Sequence, residues 1–341
     1  MPSTAKNFTP LNVLICGAGN IAHRFDTSDG DDVFTHVKGF LRHGGFQITA
    51  IIDDDIDRAE EAARIWNIPF AGRSLADIQD APTDVVSICT PDHTHAAYLR
   101  DVIANPIPAL RPKLVFCEKP LSASVEEASA LVKLYSEQGV HLAVNYSRRW
   151  LADMQTISNQ ALRGEFGKVV SARIKYYKGF LHNASHFLDV LAMCTKPEAL
   201  KGAIVHVVQD YTAEDMTISA AVRMQSPVAD GSTFPLMIEG YDSRQMSPIE
   251  LEIIFEQTAI KLEELNGSFL TIARLRENET YPGFFEFSER RTHRIDASLA
   301  MQSAVADIYN TLTDGAPLAS TGLTALETLR LCTRIQSFTR L

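Results

Sequence analysis

No run of apolar residues in this chain approaches the ~18 needed to cross a bilayer, so no membrane partner is expected. Met1 to Pro10 holds one lysine and lacks the apolar core of a secretory leader. A basic excess is missing too: 32 Lys and Arg against 42 Asp and Glu give a formal net charge of −10, which argues against a nucleic-acid partner. Cysteine is sparse, five residues with no Cys-x-x-Cys pair, so neither zinc nor a redox dithiol is indicated. A reducing, cytoplasmic location suits such cysteines. His93 and His95 stand two apart without a third ligand, and no metal site is expected there. Internal repeats, low-complexity tracts and an acidic tail are likewise absent.

What is present is ordinary globular chain, 45% hydrophobic and 22% charged, long enough for two domains. Its pivot is Lys113-Leu-Val-Phe-Cys-Glu118-Lys119-Pro120, a short buried strand stopped by a carboxylate, an amine and a proline. In a parallel α/β sheet the carboxyl ends of strands form the ligand crevice, so Glu118 and Lys119 would be delivered there.

The residues before it supply a context. Leu11 to Cys16 is a strand running straight into Gly17-Ala-Gly19-Asn20-Ile21-Ala22, a GxGxxA turn. Gly17 permits the turn, Gly19 admits a pyrophosphate to the backbone, and Ala22 lets the next helix pack on the strand. The amino end of that helix would face the phosphates. After an irregular insert (Phe25 to Asp32) and a helix from about Val33 to His43, the strand Phe46 to Ile52 ends in Asp53-Asp54-Asp55. Asp53 is placed to accept from ribose hydroxyls and to repel a 2′-phosphate, which favours NAD over NADP. Asp84 to Cys89 is another strand, running into Thr90-Pro91-Asp92-His93-Thr94-His95 beside the nicotinamide half of the cofactor. A connection broken by Pro106, Pro108 and Pro112, a helix from Ser124 to Gln138, and a strand from Val140 to Asn145 complete a doubly wound pattern.

Beyond Arg148-Arg149-Trp150 the texture changes. A helix near Leu151 to Arg163 and a strand from Gly167 to Tyr177 lead to His182-Asn183-Ala-Ser185-His186, where Ser185 is a candidate N-cap. Six segments between Ala203 and Leu275 then alternate apolar and polar residues, predicting an antiparallel sheet with one open face. Two helices, Ser298 to Thr313 and Gly322 to Phe338, end the chain. Covering the open face with a second copy predicts a homodimer or homotetramer through that sheet.

The combined pattern resembles the glucose–fructose oxidoreductase/inositol dehydrogenase/rhizopine catabolism (Gfo/Idh/MocA) family. The pieces that carry the resemblance are the GxGxxA turn, Asp53, Thr90-Pro91-Asp92-His93-Thr94-His95, Glu118-Lys119-Pro120 and the helix start His186-x-x-Asp189, in family order. The resemblance implies an α/β Rossmann domain (1–145) plus an α+β domain with a large, mostly antiparallel open sheet (146–341), the last helices packing back on the first domain. It implies NAD(P)-dependent transfer of a hydride at a hydroxyl or keto carbon of a sugar, cyclitol or sugar nucleotide. Gly17, Gly19, Asn20, Ile21, Asp53, Thr90, Pro91, His95, Glu118 and Lys119 would line the cofactor. Lys119 would be the active-site lysine, its bond to Pro120 open to the cis form, and His186 the active-site histidine.

One position departs from the family pattern. Many members carry an Asp four residues before the active-site histidine, where this chain has His182. The element Tyr176 to His186 is also similar to one in relatives tied to surface polysaccharide and other carbohydrate pathways. Oxidising an alcohol needs a base that titrates near neutrality, which suits His186 with Lys119 as electrostatic partner; the reverse assignment stays open. His182 joins them as a catalytic candidate, and Arg149 and Asn183 as residues that hold substrate. Two other readings also stand: a nucleotide-responsive regulator without turnover, and transient redox chemistry giving net elimination or hydrolysis.

Overall fold

The computed structural model describes residues 9–78, 82–104, 107, 110–228, 232–264 and 268–340. Residues 1–8 of the Met1 to Pro10 segment, and Asn105, Pro106 and Pro108 of the proline-broken connection, lie outside the described residues. Two units divide the chain: Met1–Trp150 with Ser298–Leu326, and Leu151–Ala297 with Glu327–Leu341.

The first unit is built on six parallel strands. They are β1 (Leu11–Cys16), β2 (Phe46–Ile52), β3 (Phe70–Gly72), β4 (Thr83–Ile88), β5 (Leu110–Cys117) and β6 (His141–Val144), in the order β3-β2-β1-β4-β5-β6. Val13, Leu14, Ile15 and Cys16 are all fully buried, as expected of a strand covered on both faces. The strand order reverses beside β1, and such a switch point opens a crevice at the carboxyl ends. Between strands run α1 (His36–His43), α2 (Ile56–Trp66), α3 (His95–Ala104) and α4 (Val125–Glu137). The starts of α1, α2 and α4 are set by side-chain caps: Thr35, Asp55 and Ser124 accept from Lys38, Asp57 and Glu127 amides. Gly44 in the left-handed region stops α1.

The expected helix behind the GxGxxA turn is reduced to one π-helical turn, Asn20–Arg24. Asp26 explains where the chain goes next. Its carboxylate accepts from the Phe34 and Thr35 amides and from the Thr35 hydroxyl, so the insert folds back and helix resumes only at His36.

The second unit opens with α5 (Ala152–Leu162), β7 (Val169–Tyr177) and α6 (Ser185–Thr195). Then come β8 (Glu198–Val208), β9 (Thr217–Gln225), β10 (Thr233–Tyr241), β11 (Glu250–Phe255), β12 (Thr258–Glu264), β13 (Ser268–Glu277) and β14 (Phe285–Ile295). These form an eight-stranded sheet in the order β14-β13-β12-β11-β7-β10-β9-β8, antiparallel except where β7 meets β10. The sheet exceeds the six segments expected because β7 joins it and because β14 was not recognised. Of β14 only Ile295 is buried, so alternation, the signal for a strand with one covered face, is missing. On β10 and β11 the alternation is plain: Phe234, Leu236, Ile238, Leu251, Ile253 and Phe255 all point inward. Other strand residues pair charges, Arg173 with Glu239 (3.3 Å) and Lys175 and Lys261 with Glu250 (3.1 and 3.2 Å).

Two helices follow, α7 (Leu299–Asp314) and α8 (Gly322–Gln336). In the first unit Met301, Ala304, Val305 and Ile308 of α7 join one core with Val37 and Phe40 of α1. Fully burying side chains of this size stabilises by ~1.5–3 kcal/mol each. Among the described residues no helix is long and apolar enough to cross a membrane.

Candidate active site

Backbone hydrogen bonds align five strand ends along the carboxyl edge of the parallel sheet. The Gly17 amide donates to Ile52 (2.7 Å), Cys89 to Cys16 (2.7 Å), Glu118 to Ile88 (2.9 Å) and Asn145 to Cys117 (2.8 Å). Asp53, Gly17, Cys89, Glu118 and Asn145 therefore follow one another across the sheet. Sites named from the sequence at separations of tens of residues become neighbours in one row.

At the β1/β2 end, Gly17 has φ +97°, and a Cβ there would sit 2.8 Å from the Cys89 carbonyl carbon and oxygen. Only glycine fits. Around Gly19 no atom lies within 4 Å of a notional Cβ, leaving the open approach that a pyrophosphate needs. Asn20 is exposed and Ile21 packs against the core. The buried Asp53 carboxylate accepts from the Ala18 amide (2.7 Å) through one oxygen and from Asp55 (3.0 Å) through the other. Each oxygen keeps a lone pair for a ribose hydroxyl. Arg73, just beyond β3, donates to the Asp54 carbonyl at 3.0 Å. Arg73 is 19 positions from Asp54 in sequence and is brought beside the three acids by the parallel pairing of β2 with β3.

Past β4, Thr94 donates to the Thr90 hydroxyl (2.7 Å), and Pro91 is exposed. His95 is wholly buried, with Nδ1 2.7 Å from the Pro120 carbonyl and Nε2 2.8 Å from the Thr90 carbonyl. Its ring ties the Thr90 turn to the Lys119–Pro120 turn. The Lys119–Pro120 bond is cis, and Lys119 is only 8% exposed. Arg149 is buried in the short helical turn Ser147–Trp150. The neighbouring Trp150 indole donates to Asp307 at 2.8 Å.

Glu118 has a partner that sequence reading missed. His36, fully buried on α1, places Nε2 2.9 Å from Glu118 Oε1, and the Asn145 amide donates to the same oxygen at 2.6 Å. The other histidine nitrogen meets the Ser87 hydroxyl at 2.7 Å, and the ring lies 4.5 Å from that of Phe116. Burial works against charge on His36, yet Cys89 and the Glu118 carboxylate outweigh it and push its pKa up to about 10. Burial likewise opposes the Glu118 carboxylate, but His36, Asn145 and the Lys119 charge win and hold its pKa down. The Asn145 side-chain oxygen is buried without a hydrogen-bond partner in the protein. An open glycine, a ribose-ready carboxylate and an unfilled buried acceptor together fit a dinucleotide along this edge.

In the second unit the histidine-rich element forms a π-helical turn, Phe180–Ala184, continuous with α6. Ser185 is therefore not an N-cap: helix has already begun, and its hydroxyl donates back to the Leu181 carbonyl at 2.6 Å. The turn is instead pinned by Asp215, whose two oxygens accept the Leu181 and His182 amides at 2.8 Å each. Burial pushes the Asp215 pKa up, opposed by those amides. Asp210 holds the entry to the turn by accepting from the Lys178 amide (2.9 Å) and the Thr217 hydroxyl (2.6 Å). The His182 ring stacks on Tyr211 with centroids 4.4 Å apart. Asn183 donates its side-chain amide to the Tyr177 carbonyl (2.9 Å). His186 is half-buried at the second position of α6, and Asp189, one turn on, is buried and accepts from Thr328 at 2.7 Å. Among the described residues no three His, Cys, Asp or Glu side chains are grouped to hold a metal ion.

Residues 11–146 match the model of the GFO_IDH_MocA oxidoreductase family, NAD-binding Rossmann fold. Among curated relatives, scyllo-inositol 2-dehydrogenase (NAD(+)) of Bacillus subtilis is 31% identical over 43% of this chain and 40% of its own length. D-glucoside 3-dehydrogenase of Escherichia coli is 24% identical over 49% of this chain and 43% of its own. The chain thus spans about two-fifths of the length of the curated relatives it matches. Among solved structures, the WlbA dehydrogenase of Bordetella pertussis, in complex with NADH and UDP-GlcNAcA, superposes with TM-score 0.71 over 96% of both chains at 18% identity. That likeness, with the paired parallel and mostly antiparallel sheets, shows the fold. Through residues 11–146 the chain is similar to the Gfo/Idh/MocA oxidoreductase family in its NAD-binding Rossmann fold.

Proposed function

We propose that this chain is an NAD-dependent oxidoreductase that moves a hydride between nicotinamide and a hydroxyl or keto carbon of a sugar, cyclitol or sugar nucleotide. The observation that carries the reading is the row Asp53, Gly17, Cys89, Glu118 and Asn145 on adjoining strand ends, with Lys119 immediately beyond. Asp53 favours an unphosphorylated ribose, hence NAD rather than NADP. Its relatives act on substrates of this class by name: a scyllo-inositol, a D-glucoside and, for the structural neighbour, a bound UDP-sugar acid.

The nicotinamide, when bound, supplies the hydride acceptor or donor. His186 is the proposed base for the hydroxyl proton, and the Lys119 ammonium the group that stabilises a developing alkoxide. His182, Asn183 and Arg149 are the proposed contacts to substrate oxygens. Asn183 already spends its amide on Tyr177, leaving its side-chain oxygen for a donor. The subunit is further proposed to associate through its eight-stranded sheet; a monomer mass by light scattering ends that proposal.

The test is a titration with NADH and NADPH followed by nicotinamide fluorescence, then a panel of sugars, cyclitols and nucleotide sugars read at the NADH absorbance. NADH is expected to bind more tightly, and one substrate class to give net NADH. Lys119→Ala should then lower turnover by about 10²–10⁴-fold while changing nucleotide affinity far less. Nucleotide binding without turnover on any panel member would favour a regulator, and wild-type turnover in Lys119→Ala would remove the lysine from the mechanism.

A further inference from the structure

Glu118 is bound on one oxygen by two donors that come from distant parts of the first unit, His36 and Asn145. His36 is 0% exposed, so a charge on its ring depends on its polar partners Ser87, Cys89 and Glu118. A neutral glutamine or an apolar side chain would fill this space with less desolvation than an ion pair. The pair therefore asks for a role beyond packing. Its position supplies one. Glu118 and Asn145 stand at the β5 and β6 ends of the row, and Asp53 at the β2 end. A dinucleotide with its adenosine ribose at Asp53 and pyrophosphate at Gly17–Gly19 has its nicotinamide half toward β4 and β5. The buried, unfilled oxygen of Asn145 lies beside the same carboxylate and would accept a donor from outside the chain.

We propose that His36 is a positioning residue whose buried ring is the counter-ion of Glu118, and that this pair sets the balance of affinity between oxidised and reduced nicotinamide. The inference rests on the dinucleotide reading above. Oxidised nicotinamide carries one more positive charge than reduced. An unopposed Glu118 carboxylate at this end of the crevice would favour the oxidised form strongly. With His36 opposite and Lys119 adjacent, the carboxylate is neutralised and the reduced form gains relative affinity. Burial keeps the effect large, because solvent and salt screen it little.

The experiment measures dissociation constants for NAD+, NADH and ADP-ribose with the wild-type chain, His36→Gln and Glu118→Gln. It is run at about pH 8, well above the ordinary carboxylate range. ADP-ribose reports the half of the site that neither substitution should touch. In His36→Gln the affinity for NAD+ relative to NADH is expected to rise about three- to tenfold; in Glu118→Gln it is expected to fall by a similar factor. A merely structural role would weaken both nucleotides together and could not give shifts of opposite sign. Ratios within twofold of wild type in both variants, with ADP-ribose binding intact, overturn the proposal and leave the dinucleotide reading standing. Failure of the wild-type chain to bind any of the three removes that reading and this one with it. Should His36→Gln lose its fold by circular dichroism, Glu118→Gln decides alone, and an unchanged or rising ratio there is the overturning result.

Discussion

The carboxyl edge of the parallel sheet and the His182–His186 turn of the second unit hold their polar groups by opposite means. At the sheet edge the backbone is fixed by the strands themselves, and side chains from α1 and from just past β6 arrive to hold one carboxylate. In the turn the backbone is the part that needs holding. Two carboxylates more than 30 positions away, Asp210 and Asp215, capture its amides. A site on strand ends is rigid before its charges are arranged; a site on a π-helical turn is shaped by the charges that bind it. The comparison breaks if substitutions in the two regions fail to respond in these different ways.

The largest effect is expected at Gly17. An added methyl would meet the Cys89 carbonyl at 2.8 Å, and φ +97° is strained for any residue with a Cβ. Overpacking and backbone strain together should cost Gly17→Ala roughly 3–5 kcal/mol in urea unfolding, with loss of nucleotide binding. Wild-type stability in that variant would show that the edge adjusts, contrary to the rigidity claimed for it.

Asp215→Ala comes next. Leu181 and His182 amides would lose their acceptor where water reaches poorly, since Asp215 is only 9% exposed. Two orphaned donors predict about 2–4 kcal/mol of destabilisation. Gly179 sharpens the point: its φ is +85°, and a Cβ there would sit 2.5 Å from an Asp215 carboxylate oxygen, so carboxylate and turn are built around each other. Nucleotide binding by the first unit should survive in Asp215→Ala. Loss of binding along with stability would mean that the two regions are not held independently.

The same contrast governs what could be read from the sequence. Gly17, Asp53 and Glu118-Lys119 were legible because a buried strand announces its own end, and residues just past it fall on one edge of a parallel sheet. The strand bounds Phe46–Ile52 likewise read from the sequence as the structure has them. His36 was not legible. It lies in a helix that reads as ordinary cover, 82 positions from the glutamate it binds, and nothing local marks a histidine whose partner is tertiary. Ser185 misled for a related reason: a serine before an apolar helix looks like a cap, and only the distant Asp215 reveals that helix began at Phe180. β14 escaped because both its faces meet solvent.

The smallest effect per step is a dependence on pH, and its sign differs between the regions. His36 is raised in the folded chain from an ordinary 6.5 to about 10, so its contribution is whole below pH 6.5 and drains away as pH rises toward 10. Glu118 is held below its ordinary 4.5, so its contribution is whole above that value and is lost on acidification. The pair therefore stabilises most between about pH 4.5 and 6.5. Above that window wild-type stability should fall relative to His36→Gln by at most about 1.4 kcal/mol per pH unit. Asp215 runs the other way from Glu118: its pKa is raised from 3.8 by burial, so acid favours its folded state and ionisation costs stability as pH climbs through that raised value. Melting temperatures of the wild type, His36→Gln, Glu118→Gln and Asp215→Asn across this range make the test. The gap between wild type and His36→Gln should narrow on the alkaline side, and acid should penalise wild type more than it penalises Glu118→Gln. A gap that stays constant from pH 6.5 to 10 would mean that the His36 ring carries no charge opposite Glu118, and the contrast between a charge-balanced edge and a carboxylate-pinned turn would reduce to one of geometry alone.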